Sequence, residues 1–175
     1  SILFKPMLHQ FATCREFVED FKLSSQDLIL TNQYIYQPYF GQMGLGCQIL
    51  FQEQYGTGEP SDVMVDAILA DAAKTDCKRI VAIGGGTVID IAKVLAVAGS
   101  EGEDALYDKA PDLEKRRELV IVPTTCGTGS EVTNISIMAR TRMGTKLGLV
   151  SPAMYADQAV LIPELLEGLP FGVFA

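Results

Sequence analysis

Two short blocks of unbroken apolar residues organise the chain, Ile80 to Ile83 and Leu119 to Val122. A strand of a parallel sheet is covered on both faces and loses the in-and-out alternation of a half-exposed strand, which is how both blocks read. Asp27 to Leu30 and Cys47 to Phe51 are further strand candidates. Helical segments lie between them. Tyr34 to Phe40 reads as a short helix, and Ser61 is a good N-cap for a helix to about Lys74, with Val65, Ile68, Leu69 and Ala72 on its apolar side. Thr87 to Ala98 is a strongly apolar helix, and Gly99 to Arg117 an exposed connection around a short one. Asn134 to Met138 and Lys146 to Val150 flank the turn-rich stretch Thr141 to Gly144, the pattern of a hairpin. The expected fold class is therefore α/β: a Rossmann-like, mainly parallel sheet with helices on both faces, plus a β-hairpin.

The junctions carry the chemistry. In RIVAIGGGTVIDIAK, Arg79 to Lys93, an apolar strand breaks at Gly84, Gly85 and Gly86 and restarts as a helix. Glycines let the backbone approach a bulky group without Cβ interference, and the free N–H groups at a helix N-terminus attract an anion. The spacing is not G-x-G-x-x-G, and a plain strand-to-helix turn is the alternative. Three glycines followed by Thr87, Val88 and then Asp90, read here as lying in the first helical turn, favour a phosphate site. In LVIVPTTCGTGSEVT, Leu119 to Thr133, the strand ends at Pro123 in a loop of small hydroxyl donors: Thr124, Thr125, Thr128, Ser130 and Thr133. An ordinary surface loop is the competing interpretation. Both loops follow buried-type strands, and ligands of open α/β sheets bind at the carboxyl ends of strands.

Composition narrows the partners. A chain of 175 residues fits one domain with a sizeable core. Net charge is −8, and basic residues are scattered apart from Lys115, Arg116 and Arg117, which argues against nucleic acid as a partner. Cys14, Cys47, Cys77 and Cys126 lack C-x-x-C spacing, so neither a zinc ribbon nor a disulfide framework is indicated. Without a leader pattern or a bilayer-length apolar run, a membrane-free protein of the reduced cytoplasm is expected.

GGGTVIDIAK followed by PTTCGTGSEVT resembles the iron-containing (group III) alcohol dehydrogenases, with Thr87 standing where that family's glycine turn has Ser. Within the family, LILTNQYIYQPYF, QYGTGEPSD, SEVTNISI and IPELLEGLP look most like the 4-hydroxybutyrate dehydrogenase branch, and the resemblance runs from about Asp27 to Pro170. It implies an NAD-binding domain: Gly84 to Val88 around the pyrophosphate, and Thr124, Thr125, Thr128, Thr133 and Lys146 around the phosphates and nicotinamide ribose. Without the resemblance, Lys146 would be a solvated strand-end lysine. Asn32 stands where the family usually has an Asp on the adenosine ribose; Asn can donate to and accept from a diol, but lacks the charge that repels a 2′-phosphate, and a polar turn residue is an equal alternative. Asp90 could accept from a ribose or nicotinamide group, or complement the helix dipole. Glu59 falls in the adenine-side loop, and Cys126 reads as a small buried thiol rather than a nucleophile.

Family members bind Fe2+, sometimes Zn2+, through one Asp and three His on a following helical domain, and this chain has one histidine, His9. We therefore expect residues 1–175 to be an N-terminal cofactor domain truncated before the metal-binding helices, inactive alone, with His9 an ordinary surface or interface residue. The implied intact enzyme transfers hydride between NAD(H) and a small alcohol or aldehyde, 4-hydroxybutyrate and succinate semialdehyde foremost, and could be a homodimer. Another alcohol or glycerol-phosphate dehydrogenase, or a stand-alone nucleotide-binding module, are the alternatives.

Overall fold

The computed structural model describes residues 6–99, 102–110, 112–125, 135–140 and 145–167. In chain order the elements are β1 (Met7–Gln10), α1 (Cys14–Phe21), β2 (Asp27–Thr31), α2 (Gln33–Phe40), β3 (Gln48–Phe51), α3 (Asp62–Ala73), β4 (Arg79–Gly84) and α4 (Gly86–Val97). There follow α5 (Glu103–Lys109), β5 (Glu118–Pro123), β6 (Ile135–Arg140), β7 (Thr145–Val150), β8 (Gln158–Leu161) and α6 (Pro163–Glu167). A 3₁₀ turn, Gln52–Tyr55, follows β3 directly.

Six strands form one parallel sheet in the order β1-β8-β5-β4-β2-β3, and β6 and β7 pair antiparallel as a separate hairpin. Alternate residues of each strand serve opposite layers. Leu28, Leu30, Ile80, Ala82, Leu119 and Ile121 meet Val65 and Ile68 of α3 and the nearly all-apolar α4. Ile29, Val81, Ile83, Val120 and Val122 meet Phe17 of α1 and Ile35, Tyr36 and Phe40 of α2 on the other face. The unbroken apolar runs thus have the cause inferred for them: both faces are covered.

Local signals set the boundaries. The Ser61 side chain accepts from the Met64 N–H, capping α3. At the base of the sheet, Asp27 holds Arg79 through Nε at 2.7 Å, and the guanidinium also donates to the Phe21 carbonyl and lies over the Phe21 ring.

Four elements escape the sequence pattern: β1, α1, β8 and α6. The strand read first is consequently the second, and β1 occupies the sheet edge with Met7 and Leu8 exposed. His9 on β1 bonds Gln158 and sits against the rings of Phe11 and Phe21. Cys14, Cys47 and Cys77 are free thiols. Among the described residues no helix is long and apolar enough to cross a membrane.

Candidate functional site

From β2 onward the spatial order β3-β2-β4-β5-β8 is the 2-1-3-4-5 arrangement, which switches direction between β2 and β4. At that point β2 passes the chain to α2 on one face and β4 passes it to α4 on the other. In open α/β sheets the ligand crevice lies outside the carboxyl ends of two such neighbouring strands. Gly85 and Asn32 stand at its two sides.

The glycines there do different jobs. A Cβ on Gly84 would lie 2.9 Å from Cβ and Cγ2 of Val88, so this glycine lets α4 turn tightly back over β4. Among the described residues a Cβ on Gly85 would meet nothing closer than Cγ2 of Thr125 at 3.7 Å, and its φ of −89° is open to any residue. Nothing among the described residues requires glycine at that position. What the missing side chain leaves free among the described residues is the space before the first turn of α4, where Gly85 makes no side-chain cap and the first turn carries no acidic residue.

Gly86 and Thr87 begin α4, Thr87 is half-buried, and Val88 is buried beneath the turn. Because the helix starts at Gly86, Asp90 falls in its second turn. The proposed dipole role of Asp90 is therefore corrected: the residue is too far from the helix start, and its carboxylate lies 4.0 Å from the fully buried Lys93 amine.

The hydroxyl-rich loop joins the same place. Thr124 is buried and its N–H donates to the Gly84 carbonyl at 3.0 Å, tying the end of β5 to the glycine turn. Thr125 is half-buried and flanks Gly85. Thr128, Thr133 and Cys126 lie outside the described residues. Lys146 lies in β7, opposite Ala139 of β6.

On the far side, Thr31 donates through Oγ1 to the Ile83 carbonyl at 2.6 Å, closing the β2–β4 ladder with a side chain. Asn32 is the N-cap position of α2 yet makes no capping bond. Its Nδ2 instead donates to Gln52 Oε1 and to Glu53 Oε1, each at 3.1 Å, and Glu53 Oε2 accepts the Gln33 N–H at 2.7 Å. A carboxylate only accepts, so the amide nitrogen must face Glu53. Both amide hydrogens are spent; Asn32 can offer a diol only its Oδ1, which corrects its anticipated role as donor and acceptor.

The 3₁₀ turn carrying Gln52 and Glu53 is itself anchored. Gln52 is buried and donates to the Gly56 carbonyl, while the Tyr55 hydroxyl donates to Asp71 of α3 at 2.6 Å. Burial and then the Asp71 carboxylate push the Tyr55 hydroxyl up to about 12. Asp71 is held below the usual carboxylate range, first by Tyr55 and then by Lys74. Glu59, the acid read from sequence for this region, is exposed in the following loop. Sequence inspection missed Glu53, because only the fold brings it to a residue 21 positions earlier.

Among the described residues no three of His, Cys, Asp and Glu converge to hold a metal ion. With one histidine in the chain, these residues do not fit a three-histidine centre. The glycine turn does fit a pyrophosphate, because the volume a Cβ would fill at Gly85 stands open.

Known proteins share this chain's sequence and fold. The family model described as iron-containing alcohol dehydrogenase matches residues 9–163. A 4-hydroxybutyrate dehydrogenase of Clostridium kluyveri is 46% identical over 169 residues, covering 97% of this chain and 46% of that protein. Its namesake from Cupriavidus necator is 40% identical over 122 residues, covering 66% of this chain and 32% of that one. Among solved structures, sulfoacetaldehyde reductase from Bifidobacterium kashiwanohense in complex with NAD+ has the same fold, with a TM-score of 0.80 at 22% identity, covering 96% of this chain and 47% of that one. The chain thus spans about half the length, or less, of the relatives it matches.

Proposed function

Because this chain belongs to the iron-containing alcohol dehydrogenase family, we propose that residues 1–175 are the NAD-binding domain of a metal-dependent alcohol dehydrogenase. The intact enzyme would move hydride between NAD(H) and a short alcohol. The two relatives named for 4-hydroxybutyrate support that alcohol and its aldehyde, succinate semialdehyde, as the substrate pair. The metal belongs, on this proposal, to the half of the relatives' length that the chain does not span.

The carrying observation is the division of labour in the glycine turn: Gly84 is demanded by packing, whereas Gly85 is demanded by nothing among the described residues. A pyrophosphate at the α4 N-terminus would receive backbone N–H donors from Gly86 and its neighbours in a field that favours its charge. Thr125 flanks that position, so its hydroxyl can add a side-chain donor. Asn32 Oδ1 and the Glu53 carboxylate stand one strand over, on the adenosine side of this arrangement. When bound, the nicotinamide accepts or gives the hydride; the chain contributes orientation, holding the reacting carbon where a second reactant can meet it.

Titration calorimetry with NADH on the folded chain tests this. One site per chain is expected, in keeping with a single glycine turn. Absence of binding by protein shown to be folded refutes the assignment.

A further inference from the structure

We propose that Glu53 is the residue by which this chain prefers NAD(H) to NADP(H). The inference rests on the nucleotide site proposed above and assigns a specificity role that Asn32 cannot fill alone.

A dinucleotide whose pyrophosphate lies at Gly85 presents its adenosine ribose to the neighbouring strand end, which here is β2. A site that excludes a 2′-phosphate ordinarily places a carboxylate there, both to accept from the ribose hydroxyls and to repel the phosphate. The chain has Asn32 in that position. The fold nevertheless returns a carboxylate to it: Glu53, at the end of β3, folds back so that its two oxygens take the Asn32 amide and the Gln33 N–H at 3.1 and 2.7 Å. Those bonds hold the side chain at the α2 N-terminus, where the helix dipole also favours its negative charge. Each oxygen keeps acceptor capacity for a ribose hydroxyl, and Glu53 is exposed.

A second observation points the same way. A site for a 2′-phosphate needs an Arg or Lys beside the ribose, and the chain has neither between Lys22 and Lys74. That interval contains all of β2, α2, β3 and α3. This stretch therefore offers no cation, and Glu53 is the carboxylate that it bonds to Asn32.

Fluorescence titration with NADH and with NADPH, on the parent chain and on Glu53→Gln, tests the proposal. The parent should bind NADPH at least about tenfold more weakly than NADH. Glu53→Gln keeps the size and can still accept from Asn32, so most of that discrimination should vanish through tighter NADPH binding, with NADH affinity changed only a few-fold. Glu53→Asp retains the charge and should retain the discrimination. A parent chain that binds both cofactors equally, or a folded Glu53→Gln with an unchanged ratio, overturns the proposal while leaving the nucleotide site standing. A parent that binds neither overturns both. Glu53→Ala provides the same comparison should the Gln variant not fold, and the parent ratio alone already decides whether any exclusion exists.

Discussion

Replacing Gly85 by Val separates a glycine kept for a ligand from a glycine kept for a turn. The backbone at Gly85 has φ −89° and ψ −164°, an extended conformation that a β-branched residue adopts without strain. The new Cβ would touch Thr125 at 3.7 and 3.8 Å, which is ordinary van der Waals contact. Two small terms remain for stability. Val is a poorer N-cap than Gly, while removing a glycine lowers the entropy of the unfolded chain, and the net is about 1 kcal/mol or less in either direction. Binding should suffer much more. The branched side chain would occupy the approach to the α4 N-terminus, and each hydrogen bond to a charged group that is lost is worth about 1.5–3 kcal/mol. Losing one or two such bonds weakens NADH by between about tenfold and about ten-thousandfold, at about 1.4 kcal/mol per tenfold. Calorimetric titration alongside a thermal melt reads both quantities. A Gly85→Val chain that melts like the parent and binds NADH equally well would refute the proposed pyrophosphate position; one that fails to fold would refute the claim that the fold leaves this site open.

The neighbouring position should behave in the opposite way, since Gly84→Ala forces a Cβ to within 2.9 Å of Val88. We expect about 1–3 kcal/mol of destabilisation from this overpacking, visible as a lowered melting temperature. Burial of the Tyr55 hydroxyl, and then its bond to Asp71, should make stability pH-dependent at the alkaline end. Folding raises the Tyr55 hydroxyl from about 10 to about 12, so its contribution is complete below pH ~10 and is lost as pH climbs toward ~12. Melting temperatures of the parent should therefore fall more steeply across that window than those of Tyr55→Phe, and parallel curves would count against the bond.

The chain's own pattern determined the element types, and for a physical reason. Ile80 to Ile83 and Leu119 to Val122 are apolar throughout because helices cover both faces of β4 and β5, so burial writes itself into consecutive letters. Ser61 marked the start of α3 because a cap is a contact between near neighbours in sequence. The glycine and threonine loops were legible as a pair for the same local reason: each directly follows a strand that the pattern reveals.

What the pattern could not contain was decided by contacts across the fold. β1 is a four-residue edge strand with a mostly exposed surface, and its partner β8 lies about 150 residues away, so neither shows the periodicity of a buried element. A local sign of α1 was present in Thr13 and Glu16, spaced as a capping pair, but a helix of eight residues offers little more than two turns of pattern. Equal letters at Gly84 and Gly85 conceal unequal roles, because only the three-dimensional path of α4 brings Val88 against the first and leaves the second open. The start of α4 at Gly86, which removes Asp90 from the first turn, likewise depends on where the helix actually begins. Glu53 is the clearest case. From sequence, Asn32 marks a missing charge; the parallel pairing of β2 with β3 brings the end of one strand beside the end of the other, and a carboxylate from the second takes the vacant electrostatic position. Charge acts through space and is indifferent to sequence separation, so its placement belonged to the tertiary structure alone.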